Sequence, residues 1–598
     1  MRFQFSRVVV VGLASLSLAA CGGGGGADGG DGPSPPASVT IVAGNGQTGE
    51  VGTLLPAALT VRVTDSAGRP HASVAVSWAV TAGTGALNPP SGVTDSAGNG
   101  STRWTLGTTA GSQQATATVA GLPPVSFSAT AVAGNATASV TVTSPTTTPY
   151  EGDTVQLTAI ARDEFGNALP DKVATWSSSN PTIAPVSASG VLQAWGTGDV
   201  TVVATVDGVR GQLTLELTPI LVTVSLGAKE VVFDYTTDRC EDLDLPDQPA
   251  RFVRAEDSSL VLIDGNAPRH YLSRGADFNS LRRVCNRAAL VSADLRTAES
   301  YENWEWLWVV YRVGTRWHAL IHNEFHDAIS STCRVGDPSP GNPCWYNSIT
   351  YAVSDDGGGV FVKRSPPQHV VAPPPDVWVP PPTGVPPPGG YYFAEGYRAP
   401  TNLVRAGDGY YYSLIELFPS KFSDGRGLCV MRTDRLDDPS SWRAWDGSSF
   451  GLRMMSPYVT GSPVPMCTFL SRRIDGLGGG HIVYSTYLSR YILVAPTPGW
   501  IDGRNVCGYF FSLSTDLIHW SEPQLLAEAK LIYCPAVTPG PGAVETLPTL
   551  YPSLVDHADT TVNFERAGRT PHLYFTRFND VGLDRDLVRV QLTLTRTN

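Results

Sequence analysis

The chain contains few charged residues and very little methionine. Asp, Glu, Lys and Arg make up only 16% of its 598 residues, and methionine occurs 5 times. The net charge of −12 leaves no positive excess, which argues against nucleic-acid binding through a basic surface. Glycine (61) and proline (47) are abundant, and no long amphipathic helical period follows the N-terminal segment. These features predict a turn-rich, all-β protein of three or four domains.

Long hydrophobic runs are also missing beyond the N terminus, so no later segment is predicted to span a membrane as a helix. Residues 1–20 carry two arginines and then an apolar run, which is typical of a secretory leader. The "LAAC" that ends at Cys21 resembles the lipobox of bacterial lipoproteins, and a Gly-rich tether (21–36) follows. The resemblance implies a lipid anchor on Cys21 and, with Gly22 next, a place on the outer membrane or cell surface. The alternative is an ordinary signal peptide with a chance cysteine.

Cysteine is absent between Cys21 and Cys240, so the first half of the exported chain is held together by packing alone. The later cysteines form no CxxC pair, which gives no sign of a cysteine metal site. Their even number favours disulfides in an exported protein. We predict a Cys333–Cys344 bridge across a short loop. Sequential pairing of the others, as Cys240–Cys285, Cys429–Cys467 and Cys507–Cys534, is one arrangement among several that the sequence leaves open.

Two blocks of short alternating strands precede the cysteine-containing region. Residues 37–133 include "SVTIVAG" and "LTVRVTD", and the turn "VTDSAG" occurs twice. Residues 137–218 include "VQLTAIARDEFGNAL" and "SSSNPTIAPVSASGVLQA". The first block resembles the bacterial immunoglobulin-like domains of invasin and intimin, and the second resembles another common bacterial immunoglobulin-like type. The resemblance implies two β-sandwiches that act as spacers, with carbohydrate binding as the alternative role.

The composition changes at about residue 225, where Trp, Tyr, Arg and Cys become frequent. A strand, an aspartate turn and an aromatic residue recur around Asp356, Asp434 and Asp516, which lie 78 and 82 residues apart. Such repetition indicates a β-propeller. Five hairpins define five blades, and "NLVRAGDGYYYSLI" and "STDLIHWSEP" resemble blade strands of the five-bladed glycoside hydrolases, the arabinanase, xylosidase and fructosidase superfamily. The resemblance implies that residues 225–598 form a five-bladed β-propeller whose partner is a poly- or oligosaccharide.

Several predicted second strands end in carboxylates, at the face where the first strands begin. Glycoside hydrolysis requires two carboxyl groups, one of which donates a proton. In the family that the chain resembles, these groups come from different blades. The family's usual Asp-Pro at the start of blade one is missing, so we select catalytic candidates by position alone: Asp264, Glu324, Glu395 and Glu416.

The segment "ALIHNEFHDA" has an apolar start and a polar end. His322, Glu324 and His326 alternate and therefore project from one face of the predicted strand. A metal clamp, a catalytic site and a structural network are all compatible with this pattern, but no third histidine completes a zinc site, and we predict no metal ligand. In a catalytic site His326 would tune the proton affinity of Glu324. The neighbouring side chains expected to bind substrate are His326, Trp345, Tyr346, Asn347, Arg398 and Tyr551.

Near the C terminus, Glu565 and Arg577 are also expected to contact substrate. Arginines in this region keep open a sialidase-like hydrolase of anionic sugars, although salt bridges between blades also account for them. A non-catalytic adhesin or glycan-binding propeller is the other alternative. The preferred interpretation is a surface-anchored glycoside hydrolase that needs no cofactor, with room for a structural ion in the propeller channel.

Overall fold

The structure is a computed structural model that describes residues 34–598 except 294, 296, 327–343, 380–392, 420–424, 462, 471–473, 475–477 and 581. The predicted leader, the lipidation site Cys21 and the pairing of Cys333 with Cys344 lie outside the described residues and side chains. Packing divides the described chain into two compact units. One comprises residues up to 141 with 160–174 and 205–210, and the other comprises 142–159, 175–204 and 211–598.

The first unit contains a β-sandwich of nine strands. These are β1 Pro36–Ala43, β2 Gln47–Glu50, β3 Leu59–Asp65, β4 Ala75–Ala82, β5 Ala86–Asn88, β6 Ser91–Val93, β7 Asn99–Thr105, β8 Gly111–Val119 and β9 Val125–Val132. One sheet has the order β1-β3-β7-β5 and the other has the order β2-β9-β8-β4-β6. Apolar side chains alternate with exposed ones along β3 and β8, so the buried faces enclose Trp104 and Phe127.

The second immunoglobulin-like region has seven shorter strands. They are β10 Ser139–Thr143, β11 Thr154–Gln156, β12 Thr158–Arg162, β13 Thr175–Ser178, β14 Val191–Gln193, β15 Gly198–Val206 and β16 Val209–Leu217. Strand β11 pairs with β14, and the apolar residues Val155, Leu192 and Val200 belong to one buried core. The predicted alternation of short strands is confirmed in both regions.

The first two propeller blades follow a long strand, β17 Val222–Phe233, and a short helix, α1 Tyr235–Asp238. Blade one contains β18 Arg251–Arg254, β19 Leu260–Ile263, β20 Arg269–His270, β21 Ser273–Gly275, β22 Arg282–Arg283 and β23 Leu290–Val291, and β20 pairs with β23 apart from the main four strands. A 3₁₀ turn, Ala298–Ser300, leads to blade two, which contains β24 Trp304–Val313, β25 Arg316–His326, β26 Cys344–Ser354, β27 Val362–Lys363 and β28 Val370–Ala372.

Blades three and four continue the pattern. Strand β29 Phe393–Arg398 lies between β26 and blade three, which contains β30 Val404–Arg405, β31 Tyr411–Phe418, β32 Gly427–Thr433 and β33 Arg443–Ala444. The 3₁₀ turn Pro439–Ser441 and helix α2 Pro457–Thr460 belong to its connections. Blade four contains β34 His481–Ser485, β35 Arg490–Ile501, β36 Arg504–Ser514 and β37 Gln524–Leu531. Each predicted hairpin supplies the first two strands of its blade.

Blade five closes the ring with strands from both ends of the propeller sequence. It contains β38 Glu545–Val555, β40 His572–Phe578 and β41 Arg585–Arg596, and the short β39 Arg566–Ala567 pairs with β34. Strand β17 pairs with β41 from Val222↔Arg596 to Phe233↔Leu587 and so becomes the outermost strand of this blade. The fold is therefore all-β, with two immunoglobulin-like β-sandwiches followed by a five-bladed β-propeller.

In the described part of the propeller three disulfides are formed: Cys240–Cys285, Cys429–Cys467 and Cys507–Cys534. The sequential pairing is confirmed for these six cysteines. Each bridge closes a loop of 45, 38 or 27 residues, so each restricts the unfolded chain. Disulfides of this kind persist in oxidising surroundings and are consistent with an extracellular or surface protein.

Candidate functional site

Glu324 lies near the end of β25. This part of β25 is at one end of the central channel of the propeller, and we call that end the mouth. Glu324 pairs with Trp304 at the start of β24 and with Asn347 near the start of β26. The alternation of β25 places two histidines beside its carboxylate, as the sequence predicts. His326 Nε2 lies 3.0 Å from Glu324 Oε2, and His322 Nε2 lies 3.8 Å from Oε1. His322 also contacts Asn347 Oδ1 at 3.1 Å, which fixes its ring.

Arg398 connects this carboxylate with blade three. Its Nε donates to Glu416 Oε2 at 3.0 Å, across the β29–β31 pairing in which Arg398 is opposite Glu416. Strand β29 can lie this close to β26 because residue 396 is glycine: its φ is +97°, and a Cβ there would lie 2.1 Å from the Asn347 carbonyl oxygen. The sequence therefore brings Glu324, Arg398 and Glu416 together from three strands.

Asp247 supplies a third carboxylate, from the segment that precedes blade one. Its carboxylate forms an ion pair with Arg585 of blade five and accepts a hydrogen bond from the Tyr551 hydroxyl. It also interacts electrostatically with Glu324. We call the set of Asp247, His322, Glu324, His326, Arg398, Glu416, Tyr551 and Arg585 the mouth cluster.

The two neighbouring carboxyl groups of the mouth cluster have pKa values shifted in opposite directions. Burial raises the pKa of Asp247, and the negative charge of Glu324 adds to this effect against the opposing charge of Arg585. Burial also acts to raise the pKa of Glu324, but the hydrogen bond from His326 and the charges of His322 and Arg398 outweigh it and lower the pKa. A pair of this kind separates a proton donor from an ionised carboxylate.

Three side chains of the mouth cluster keep some access to water although the strands around them are buried. The exposed side-chain fractions are 14% for Glu324, 19% for Asp247 and 28% for Arg398. Trp304 and Trp345 flank His326, with nearly parallel rings whose centroids lie 5.8 Å and 6.3 Å from the histidine ring. Both indoles are partly exposed. Aromatic faces beside carboxyl groups can stack on the apolar face of a sugar ring.

Asp264, a catalytic candidate from sequence, lies outside the mouth cluster. Its carboxylate contacts Arg283 Nη1 at 2.5 Å, and Asp244 contacts Arg283 Nε at 3.1 Å. The three side chains are at most 1% exposed, and the guanidinium also lies over the ring of Phe233. We call Asp244, Arg283 and Asp264 the blade-one triad. The carboxylate that reaches the mouth from this part of the chain is Asp247, in the segment before blade one, and it was not among the candidates chosen from the sequence.

Asp247 could have been found from the segment "PDQPAR", where proline follows the aspartate after one intervening residue. The expected pattern was an adjacent Asp-Pro. Among the described residues, no group of three or more His, Cys, Asp and Glu side chains is arranged to hold a metal ion. No helix of the described chain is long and apolar enough to cross a membrane.

Glu395 lies on β29, the strand that pairs with β26, and its surroundings differ from those of Glu324. Asn347 Nδ2 donates to the Glu395 backbone oxygen at 3.0 Å, and both Asn347 and Tyr346 are fully buried. The Tyr346 hydroxyl donates to the Asp376 backbone oxygen at 2.8 Å. Burial, and then the charge of Asp376, raises the pKa of Glu395 to about 8, so this carboxyl group keeps its proton at neutral pH.

The two candidates near the C terminus are separated by the length of the blade. Arg577 lies at the mouth end of β40, where it binds Asp586 at 2.5 Å and lies 3.9 Å from Glu545. Glu565 lies at the opposite end of the channel, where its Oε1 accepts from the Arg405 backbone N–H at 2.7 Å. Burial raises the pKa of Glu565 as well. Arg577 therefore borders the site, and Glu565 does not reach it.

Residues 136–217 match the family model described as bacterial Ig-like domain (group 2). This agrees with the expected second type of immunoglobulin-like domain at 137–218. The match covers a small part of the chain. No curated protein sequence matches the chain.

Among solved structures, the chain is similar to an endo-arabinase from Bacteroides thetaiotaomicron, with 10% identity, 62% of this chain and 98% of that chain covered, and a TM-score of 0.30. An α-L-arabinofuranosidase from Lactobacillus brevis gives 9% identity, 58% and 91% coverage, and a TM-score of 0.33. The Escherichia coli adhesin FdeC gives 16% identity, 54% and 94% coverage, and a TM-score of 0.23. The assignment of the fold rests on the strands described above and not on these likenesses.

Proposed function

We propose that the protein is a surface glycoside hydrolase whose acid and base are Asp247 and Glu324. The observation that carries this proposal is a pair of partly exposed carboxyl groups at the mouth that interact electrostatically and whose pKa values are shifted in opposite directions by different neighbours. Asp247 comes from the segment that precedes blade one, and Glu324 comes from blade two. Hydrolysis of a glycosidic bond needs such a pair, one group protonated and the other ionised.

The neighbours of each carboxyl group suit these roles. His326 and Arg398 favour the ionised form of Glu324, which acts as base or nucleophile. Asp247 keeps its proton more readily and donates it to the leaving oxygen, while the Tyr551 hydroxyl holds its carboxyl group in place. Trp304 and Trp345 provide stacking surfaces beside the reacting bond.

The charges of the mouth favour a neutral sugar over an anionic one. Arg398 is paired with Glu416, Arg585 with Asp247 and Arg577 with Asp586. Glu416 and Asp586 therefore offset the charges of Arg398 and Arg577, and neither guanidinium is free to bind a carboxylate of the substrate. This supports a neutral poly- or oligosaccharide and weighs against the sialidase-like alternative.

A glycan-binding propeller without catalysis is the second candidate function. The observation that favours it is the same ion pairing: Glu416 and Asp247 each contact an arginine, as in a structural network. In that case the stacked rings of Trp304, His326 and Trp345 would bind sugar that is not cleaved.

Hydrolysis of a panel of arabinans, xylans, neutral furanosides and sialosides tests the two candidates. We expect release of reducing ends from a neutral substrate, and a loss of about a hundredfold or more in Glu324→Gln. Glu565→Gln is the matched control, since that glutamate is also half-buried but lies at the other end of the channel. Binding without cleavage across the panel would establish the second candidate, and full activity of Glu324→Gln would reject the assignment of the base.

The attachment of the hydrolase to the cell is also a proposal. The lipobox-like "LAAC" supports lipidation of Cys21 and anchoring to the outer membrane or cell surface. The boundaries 21–36, 37–133, 137–218 and 225–598 then describe a tether, two spacers and the propeller. Metabolic labelling with a fatty-acid analogue checks this proposal: the label should be incorporated by the wild-type chain and absent from Cys21→Ser.

A further inference from the structure

Arg251 is a buried arginine of the inner strand of blade one. Its side chain lies in the channel, and the residue is only 2% exposed. Nη1 donates to Ser553 Oγ at 3.2 Å, and Nη2 donates to the Gly480 backbone oxygen at 3.1 Å. Both partners are neutral, so the hydrogen bonds leave its positive charge uncompensated.

No carboxylate among the residues that the structure describes forms an ion pair with Arg251. Other buried arginines of the propeller are paired: Arg283 contacts two aspartates, and Arg490 contacts Asp153 at 2.6 Å. Burial lowers the pKa of Arg251 to about 9, and no neighbouring negative charge raises it again. The guanidinium nevertheless stays protonated at neutral pH, and a buried charge of this kind calls for a counter-ion.

Two buried nitrogen atoms close to this charge have no hydrogen-bond partner in the part of the chain that the structure describes. They are Arg251 Nε and His481 Nδ1, on the inner strands of blades one and four. His481 is buried, and first burial and then the charge of Arg251 lower its pKa, which places the two side chains near each other. The neutral imidazole can carry its proton on Nδ1 and so offer a second donor to the same ligand.

We propose that the channel holds a small monovalent anion, of the size and charge of chloride, bound by Arg251 Nε and His481 Nδ1. One uncompensated positive charge matches one monovalent anion. The two available donors suit a spherical ion better than an oxyanion, which has more oxygen atoms to satisfy. The site is distinct from the mouth cluster, although Asp247 precedes Arg251 by four residues, and Gly478, two residues before Gly480, lies against the Glu416 carboxylate.

The thermal unfolding of the full chain in chloride tests this proposal without reference to activity. The midpoint Tm is measured from low to high chloride, with gluconate replacing chloride so that ionic strength is constant. Because only the folded protein binds the ion, Tm should rise with the logarithm of chloride concentration above the dissociation constant. Arg251→Met should abolish this rise.

Arg490→Met is the matched control. Arg490 is also buried and also has an Nε without a partner, but its charge is neutralised by Asp153. This variant should lose stability and keep the full chloride dependence. A chloride response that is equal in wild type and Arg251→Met would assign the effect to another part of the chain and overturn the proposal.

Bromide soaked into crystals of the wild-type protein gives a second test that needs no variant. An anomalous peak within hydrogen-bond distance of Arg251 Nε and His481 Nδ1 is expected. Density there without an anomalous signal, together with a Tm independent of chloride, would show a water molecule and refute the anion site. Neither readout depends on catalysis, so the proposed hydrolase and the anion site can fail separately.

Discussion

The mouth cluster and the blade-one triad are two ion networks in the same propeller that differ in their access to water. Both join carboxylates to arginine across neighbouring segments. In the blade-one triad Asp244, Arg283 and Asp264 are at most 1% exposed, whereas Glu324 and Arg398 at the mouth are 14% and 28% exposed. A buried ion network is stable only if every charge has its partner, because water cannot solvate a charge that is left over. Carboxyl groups that water can reach are also open to a substrate, with which they can exchange protons.

Asp264 and Asp247 differ in whether a substrate can reach their carboxylates. Both belong to the start of the propeller, and the Asp247 backbone N–H donates to the Asp264 backbone oxygen at 3.3 Å. Asp264 has its charge neutralised inside the blade, where no sugar can reach it. Asp247 lies at the mouth, where Glu324 and Arg585 act on it.

The largest effect is expected from Arg283→Met. The substitution leaves two aspartates buried without their counter-ion, so the free energy of unfolding should fall by about 3–5 kcal/mol. Urea unfolding followed by tryptophan fluorescence measures it. Arg398→Met is the comparison variant, with an expected loss of about 1 kcal/mol or less because water can solvate the remaining carboxylates. Equal losses in the two variants would contradict the distinction between the networks.

Asp247→Asn should lower hydrolysis by about a hundredfold or more, because the amide cannot donate a carboxylic proton to the leaving oxygen. Its stability should change little. The rate is measured under saturating and limiting substrate at a pH where the wild type is most active. Asp264→Asn is the matched variant: it should reduce stability and retain the hydrolytic rate of whatever protein remains folded. A reversal of these two results would move the proton donor into blade one.

Arg398→Met should shift the pH dependence of hydrolysis. Arg398 favours the ionised form of Glu324, so its removal should raise the pKa of Glu324. The ascending limb of kcat/KM, which requires the ionised carboxylate, should therefore move to higher pH. Arg577→Met serves as a control at the rim. An ascending limb at the same pH in wild type and Arg398→Met would show that another group acts as the base.

The smallest effect is expected from a substitution of Glu395. Its raised pKa should make the free energy of unfolding depend on pH. Its pKa is about 8 in the folded protein, so between its ordinary value and pH 8 the folded state binds a proton that the unfolded state has released. Stability should therefore decrease as the pH rises from about 5 to 8. Glu395→Gln should remove at least about 1 kcal/mol of this decrease, the equivalent of one pKa unit. Urea unfolding at several pH values measures the slope, and an unchanged slope in the variant would contradict the raised pKa.

Local patterns in the sequence predict much of the fold. Alternating strands, aspartate turns and aromatic residues recur within the blades, so the five hairpins can be predicted directly from the sequence. The pairing of β17 with β41 joins segments more than 350 residues apart, and no local pattern reports it. The alternation of β25 likewise predicts that His322 and His326 flank Glu324, because neighbouring positions on one strand fix their common face.

The composition of the mouth cluster is harder to predict. Asp264 follows the apolar strand β19, and Arg283 holds its side chain inside blade one. Glu324, in contrast, still lies within β25. Tyr346 and Asn347 lie beside β25, as predicted. Their side chains form hydrogen bonds with Asp376 and His322 instead of facing a substrate. Such outcomes depend on partners distant in sequence.

The closure of the ring by β17 also determines how the propeller carries mechanical load. The chain enters at Val222, opposite Arg596, while the mouth lies near the other end of β41, at Arg585. A glycan held at the mouth and a tether attached before Val222 would therefore pull along the strand axis. The hydrogen bonds between β17 and β41 would then be loaded together in shear instead of opening one after another. We expect a high rupture force in this direction, measurable by pulling single molecules from a residue before Val222 and one at the mouth.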